Sequence, residues 1–438
     1  MKKTTRKEKR EKEEKINFFA EFIKIKEHFF KDIVKRLKAV KDNRHQSYIE
    51  YETDILLFSV IMKNACCIDS MNGMTEKFNK DECIKNIGNV LGYELLEELP
   101  HHDTINNFLC GLEPNEIEKI RDYMIKQLFK KRSLEGYRFL DKYWCIAVDA
   151  TGLFSFSERH CEHCLKKEYK NKETGEVEKT VYYHSVLEAK LVLGDMVFSI
   201  ATEFIENEDE NVSKQDCEIN AFKRLEVKLK NKYPRLPICI LGDSLYACEP
   251  VFEICDKNHW KYLLRFKEGR IKSIAEEFKV LKQFEGQRKE KCVWVRDIVY
   301  NQRTVNLIET EIDEVAIKKS FVFITNIAIT ERNADEIVSA GRSRWKIENE
   351  GFNNQKTKKY KIEHANSLNY NAMKNHYLLT QIADILRQLY EKGANIIRDL
   401  NKSIKEISSS LLESFRTRLL TNAEDTLTLE KRMQIRFH

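Results

Sequence analysis

The sequence predicts a mixed α/β (α+β) protein: a sheet-based core broken by a β-rich insertion, with helical regions before and after it. Three observations predict this. Two apolar runs, 143–150 and 237–242, read as buried strands, and each delivers an acid, Asp149 and Asp243, at or near its end. Two longer runs, 181–193 and 196–205, flank a Gly194-Asp195 turn and read as antiparallel strands. Between these pairs, 214–232 sets Ile219, Phe222 and Leu225 on one side of an amphipathic helix.

In chain order, residues 1–16 hold eight Lys/Arg against four Glu and read as a basic, solvated tail. Residues 17–135 read as a helical domain. Phe18, Phe22, Phe29 and Ile33 recur near helical spacing, and 51–68 is a second apolar segment. Asp103-Thr104 can cap a helix carrying Ile105, Phe108 and Leu109, and Pro114 suits the start of the next, which ends at Lys130-Lys131-Arg132. His101 and His102 read as a surface turn. Residues 136–268 form the first part of the core, completed by a helix near 248–258 and a strand at 262–266. Residues 269–332 interrupt it with a short helix, a hairpin at 292–300 and 303–312 turning at Asn301-Gln302, and a strand at 321–324. Residues 333–385 are the second part of the core, where Asn333 with Glu336 resembles a capping box opening the helix that carries Arg344 and Glu348. Residues 386–438 read as helical and of mixed charge.

Chemistry concentrates in three acids. Asp is depleted in strands and costly to bury without a partner, a proton or a metal. The plain alternative for Asp149 is a cap on a following Thr151-Gly152 turn. Asp243 lies 94 residues further on, and Glu348 another 105, on a helical segment with Arg344 one turn before it. Two strand-end Asp residues and a helical Glu suit a two-metal phosphoryl-transfer site, because Mg²⁺ (or Mn²⁺) takes hard oxygen ligands and a pair of ions can clamp both reacting oxygens. Close carboxylates repel unless a cation lies between them. Arg344 and Glu348 could otherwise be a surface ion pair worth under ~1 kcal/mol, but Trp345 and Ile347 argue against a solvated helix, and Trp345 with Phe352 should anchor it to the sheet.

Asp149, Asp243 and Glu348 in these contexts resemble the triad of DDE-type cut-and-paste bacterial insertion-sequence transposases, of the insertion-sequence-four, Tn-five-like type. The resemblance covers about 140–360 and is strongest at Gly242-Asp243-Ser244 and Arg344-Trp345-Lys346-Ile347-Glu348. Of the signature Tyr-x2-Arg-x3-Glu-x6-Lys, Arg344 and Glu348 fit. Gly341 stands at the Tyr place and Gln355 at the Lys place, with Lys356 one residue late. Three strands, helix, strand, helix, strand is also the order of the ribonuclease-H-like fold, in which the first and fourth strands are neighbours. The resemblance implies an Mg²⁺-dependent DNA transposase that cuts the terminal inverted repeats of its element and joins the freed 3′-hydroxyl to target DNA, through a hairpin intermediate and a homodimer pairing two ends. It implies a DNA-end-binding role for 17–135 and an inserted β-subdomain whose aromatic residue, Trp294 here, stacks on a flipped base; an ordinary hairpin core residue is the alternative. Arg344 suits bidentate phosphate contact, and Lys356, Lys358, Lys359 and Lys361 form a basic cluster able to grip a DNA backbone. The rivals are a ribonuclease-H-like nuclease that does not join strands, and an inactive, transposase-derived DNA-binding protein.

Cys161 and Cys164 form a Cys-x2-Cys pair, half of a structural zinc site, with His184 and Cys217 as candidates for the rest. The alternative is free thiols beside a Lys-rich excursion at 166–179. Residues 203–210 read as an acidic, solvated turn. A net charge of +6 on 438 residues excludes a uniformly basic coat, so any polyanion site is a local patch. No run of 18 apolar residues argues for a membrane span. Twelve Cys without a signal peptide fit reduced thiols and a cytoplasmic, prokaryotic location, nucleoid-associated when DNA is bound.

Overall fold

The protein is described from a computed structural model, and the structure describes residues 13–420 apart from 46, 48, 315 and 316. Most of the basic tail and the chain after 420 therefore lie outside the described residues. The chain forms two compact units, one of residues 134–353 and one of 1–133 with 354–438. Residues 354–385, expected in the core, thus cluster with the N-terminal helices.

The first unit is built on a mixed ten-stranded sheet. Its strands are β1 (Trp144–Phe156), β2 (Leu165–Lys170), β3 (Val177–Leu193), β4 (Met196–Ile205), β5 (Ile238–Gly242), β6 (Lys261–Phe266), β7 (Gln287–Lys289), β8 (Cys292–Tyr300), β9 (Arg303–Glu314) and β10 (Ile317–Thr325). The order is β2-β3-β1-β5-β6-β10-β9-β8-β7, with β4 also on β3. β1, β5 and β6 are parallel, joined through helices Glu218–Lys232 and Glu249–Asn258, whereas β3 runs antiparallel to β1 and β4. The expected neighbourhood of β1 and β5 is present, with Ala147 beside Leu241.

Three expectations fail here for identifiable reasons. Thr151 and Gly152 do not turn: β1 continues to Phe156, absorbing an irregularity between Gly152 and Ser155 while paired to β3. The insertion is no separate β-subdomain, because β10 pairs with β6 and carries β9, β8 and β7 on as one sheet. The 203–210 stretch is not simply a solvated turn: Glu203 is buried at the end of β4, where Arg224 reaches it at 2.7 Å and Lys228 at 2.8 Å.

Alternation along the strands decides which side chains share a face. Cys145, Ala147, Val192, Val197, Cys239, Leu241, Ile347 and Phe352 belong to one buried cluster. Helix Ala334–Ser343 packs into it, followed by a π-helix, Ile347–Lys359. A wide π turn commonly marks a functional segment. The single helix expected from 333 is thus broken at 344–346, and no capping box opens it: the Asn333 carboxamide oxygen accepts from Thr330 N–H and its NH₂ donates to the Ala328 carbonyl.

The second unit is helical. Its longest helix, Tyr370–Gly393, and helix Thr53–Ala65 are buried along most or all of their length. Phe18, Phe22, Phe29 and Ile33 are all buried, as their spacing predicts. The cap expected of Asp103-Thr104 comes instead from His101, whose ring accepts from Asp103 N–H before helix His102–Gly111. Asp384 accepts from Gln355, Gln388 and Tyr360, while Glu391 joins Lys359 at 3.0 Å and Arg387 at 2.6 Å. These buried charges are tolerable because every carboxylate meets several donors.

Candidate active site

Asp149 and Asp243 each lie two residues beyond the paired Ala147 and Leu241, where the parallel pairing of β1 with β5 ends, Asp243 past the end of β5 and Asp149 still inside β1. Such ends are where open α/β sheets carry their ligands. Gly242 makes the exit from β5 possible, since a Cβ there would stand 3.0 Å from both Leu264 and Tyr246. Past it, Asp243 accepts from Leu245 N–H at 2.7 Å, which fixes the turn. Asp149 stays inside β1, so it is not a turn cap.

Glu348, in the first turn of the π-helix, accepts from Arg344 at 2.7 Å, and the same guanidinium nitrogen is 3.5 Å from Asp149. Arg344 therefore lies between two of the three acids, part-buried, and is not a surface ion pair. Two acids the sequence reading did not single out join them. Glu218 opens helix Glu218–Lys232 and accepts from the buried Tyr246 hydroxyl at 3.3 Å. Glu188 is directly opposite Asp149 in the β1–β3 register and fully buried; it accepts from Thr202 at 2.6 Å, and its Oε2 has no hydrogen-bond partner. Burial pushes the Asp149 carboxyl up to about 7; Arg344 opposes this, while Glu348, Glu218 and Asp243 add to it. Burial and then Asp243 likewise push the Glu218 carboxyl up.

This is a cluster short of positive charge, and its donors are hard oxygens. That chemistry fits a divalent cation. The spacing does not close on one: among the described residues, three or more ligand atoms gather within 4.8 Å only at His160, Cys161, Cys164 and His184 and at the trio His101, His102 and Asp103. Two of the carboxylates, Asp149 and Glu348, instead face the Arg344 guanidinium.

The remaining predicted residues are found elsewhere. Trp294 is not available to a base: it is 2% exposed in the sheet core and its indole N–H donates to Gln287 at 2.8 Å. Trp345, expected to anchor the helix, is 61% exposed, and Phe352 does the anchoring with Ile347. Lys356 pairs with Glu363 at 2.8 Å, Lys361 with Asp69 at 2.6 Å, and Lys359 is buried against Glu391, so the basic cluster is largely neutralised. Gln355 is a core residue hydrogen-bonded to Gln381 and Asp384. Gly341 cannot be the Tyr of the signature, because a Cβ there would come within 2.8 Å of the Phe323 ring. Arg265 on β6 lies over Phe321 and Phe323, donates to the Ser320 carbonyl and leaves its buried Nη1 without a hydrogen-bond partner; burial and then nearby Arg344 pull its pKa down.

Cys161 and Cys164 do meet His184, at 3.4 and 3.5 Å from its Nε2, and are 3.5 Å from each other. The fourth member is His160, not Cys217, which is exposed at the start of a helix and outside the group. Among the described residues no helix is long and apolar enough to cross a membrane. No protein-family model matches the chain, and no curated protein matches it either.

Proposed function

We propose that the protein is a DNA transposase that cuts the ends of its element and transfers the freed 3′-hydroxyl strand to target DNA, working on a ribonuclease-H-like core. The observation that carries the reading is the convergence of Asp149, Asp243 and Glu348, far apart in sequence, on one electrostatically coupled cluster. The strand order β4-β3-β1-β5-β6, with three parallel strands, supports the fold.

Asp149 and Asp243 would hold Mg²⁺, with Glu348 completing the set. When bound, the ions supply Lewis acidity at the attacking and leaving oxygens of the phosphodiester. Arg344 releases its bridge between Asp149 and Glu348 and turns its fork to a phosphate, for which a planar guanidinium is suited. Arg265, with an unpartnered nitrogen nearby, offers a second phosphate contact. Trp345, exposed between Arg344 and Glu348 in sequence, gives the site an aromatic face for a base. Water attacks the phosphodiester at the element's end, breaking its P–O3′ bond to leave a 3′-hydroxyl and a 5′-phosphate; that hydroxyl then attacks a target phosphodiester, bonding to its phosphorus and releasing the target's own 3′-hydroxyl.

The test is Mg²⁺-dependent cleavage of DNA taken from both sides of the gene, where this reading expects inverted repeats, followed by strand transfer from precut ends. Asp149→Ala should abolish both while DNA binding stays nearly intact. Cleavage without joined product would identify a nuclease instead. Burial of Gln355 at the Lys place and the crowded Gly341 favour the inactive-derivative reading, which any Mg²⁺-dependent cleavage by the purified protein excludes.

A further inference from the structure

The geometry points to a tetrahedral Cys₂His₂ zinc centre made by His160, Cys161, Cys164 and His184. Each residue offers one ligand atom, and all four atoms lie within 4.8 Å of one another. Zinc bonds of about 2.3 Å to sulfur and about 2.05 Å to nitrogen, at tetrahedral angles, set sulfurs ~3.8 Å apart and sulfur ~3.6 Å from nitrogen. The observed sulfur–sulfur separation is 3.5 Å, and the sulfur–nitrogen separations are 3.4 and 3.5 Å. A disulfide would need about 2.05 Å. Both ring nitrogens of His160 are buried and without a hydrogen-bond partner, which a ring ligating through one of them would explain. Two thiolates with two imidazoles select zinc over the hard cations of a carboxylate site.

The surroundings hold the ligands in place. Cys161 and Cys164 bracket a tight turn closed by Cys164 N–H on the Cys161 carbonyl at 3.3 Å. Asn207, buried in the segment after β4, donates its side-chain amide to the Cys164 carbonyl at 3.0 Å and engages His163 through its backbone. Phe156 packs edge-on to His160, and Phe154 to His184, so β1 walls one side. The centre ties the β1–β2 connection to β3 at the root of the β2–β3 hairpin, four residues along β3 from Glu188. Its role is a structural staple: four protein ligands close the coordination shell.

The full chain, purified under reducing conditions without added metal, should carry one zinc per molecule by elemental analysis. After chelation, Co²⁺ should restore the centre with intense visible ligand-field bands and sulfur-to-metal charge-transfer bands in the near ultraviolet. His160→Ala, at a half-buried position chosen to spare the fold, should weaken Co²⁺ binding more than about tenfold, since losing even an outer-shell partner costs about 10–100-fold. Cys161→Ser should remove charge-transfer intensity. Sub-stoichiometric zinc with Co²⁺ spectra lacking those bands would overturn the proposal, as would a Cys161–Cys164 disulfide in the reduced preparation. An unchanged His160→Ala spectrum and affinity would overturn it too. The wild-type spectrum decides the matter even if a Cys variant fails to fold.

Discussion

Replacing Asp149 with Asn should make the metal-free protein more stable. In the folded state burial, and the nearby acids against Arg344, push its carboxyl from 3.8 up to about 7. The folded state therefore binds this proton more tightly than the unfolded chain. Its contribution to stability is fully present below about pH 3.8 and is lost as pH rises through about 7. Each tenfold change in proton affinity is worth about 1.4 kcal/mol, so holding the ion at pH 8 costs the fold up to ~4 kcal/mol. The side chain keeps 19% of its exposure, and solvent screening brings the expected figure to roughly half of that. Asn keeps the shape and removes the charge, while Arg344 retains Glu348 at 2.7 Å. Urea unfolding in a chelator, at several values between about pH 5 and 8, should show a wild-type-minus-variant difference that grows more negative with pH. Titrating groups outside this acidic cluster cancel in that difference. Adding Mg²⁺ should then stabilise the wild type, by about 2.7 kcal/mol at a hundredfold excess over the dissociation constant, and leave the variant nearly unmoved. A variant less stable than the wild type in chelator at pH 8, or one equally stabilised by Mg²⁺, would refute the reasoning.

The two tryptophans should behave oppositely. Trp294→Ala should cost about 3–5 kcal/mol in denaturant melts. Trp345→Ala should leave stability within about 0.5 kcal/mol yet weaken binding to unpaired DNA ends by ~1–3 kcal/mol per lost stack. Glu391→Ala takes the carboxylate from the buried Arg387 and leaves Lys359 only Asp384 at 3.7 Å, and chemical unfolding should register a loss of about 3–5 kcal/mol. Burial and then Lys63 hold the His376 imidazole down to about 3, so it folds neutral. Its contribution is present above about pH 6.5 and is lost as pH falls towards 3; His376→Gln should flatten that part of the acid-unfolding curve.

Much of the core was legible because strands and amphipathic helices leave local signals. β4 matches its expected range residue for residue, helix Glu249–Asn258 falls within its expected 248–258, and helix Pro114–Phe129 begins at its expected proline. The two Asp residues were legible for the same reason: an acid closing an apolar run is conspicuous. Glu188 was not, since it sits inside a long run and only the β1–β3 register sets it opposite Asp149. Glu218 was hidden because a Glu in the first helical turn already has an ordinary explanation in the helix dipole. His160 escaped notice because it adjoins Cys161, and ligand spacing is usually sought at two to four residues. The aromatic assignment was inverted: type and neighbourhood are readable in sequence, but whether Trp294 or Trp345 meets solvent depends on how the insertion continues the sheet.

That continuation leaves a long sheet with two open margins, and an open margin invites pairing with a second chain. β7, at one end, is only Gln287-Arg288-Lys289. β2, which shares the other end with β4, exposes Lys167, Glu168 and Lys170 along a short strand. The cations at each rim, Arg288 on β7 and Lys167 with Lys170 outnumbering Glu168 on β2, repel an incoming copy before backbone groups can meet. Replacing Arg288, Lys289 and Lys170 with threonine would leave each strand its backbone pairing and strip this guard, and light scattering at high concentration should then rise well before any loss of helicity.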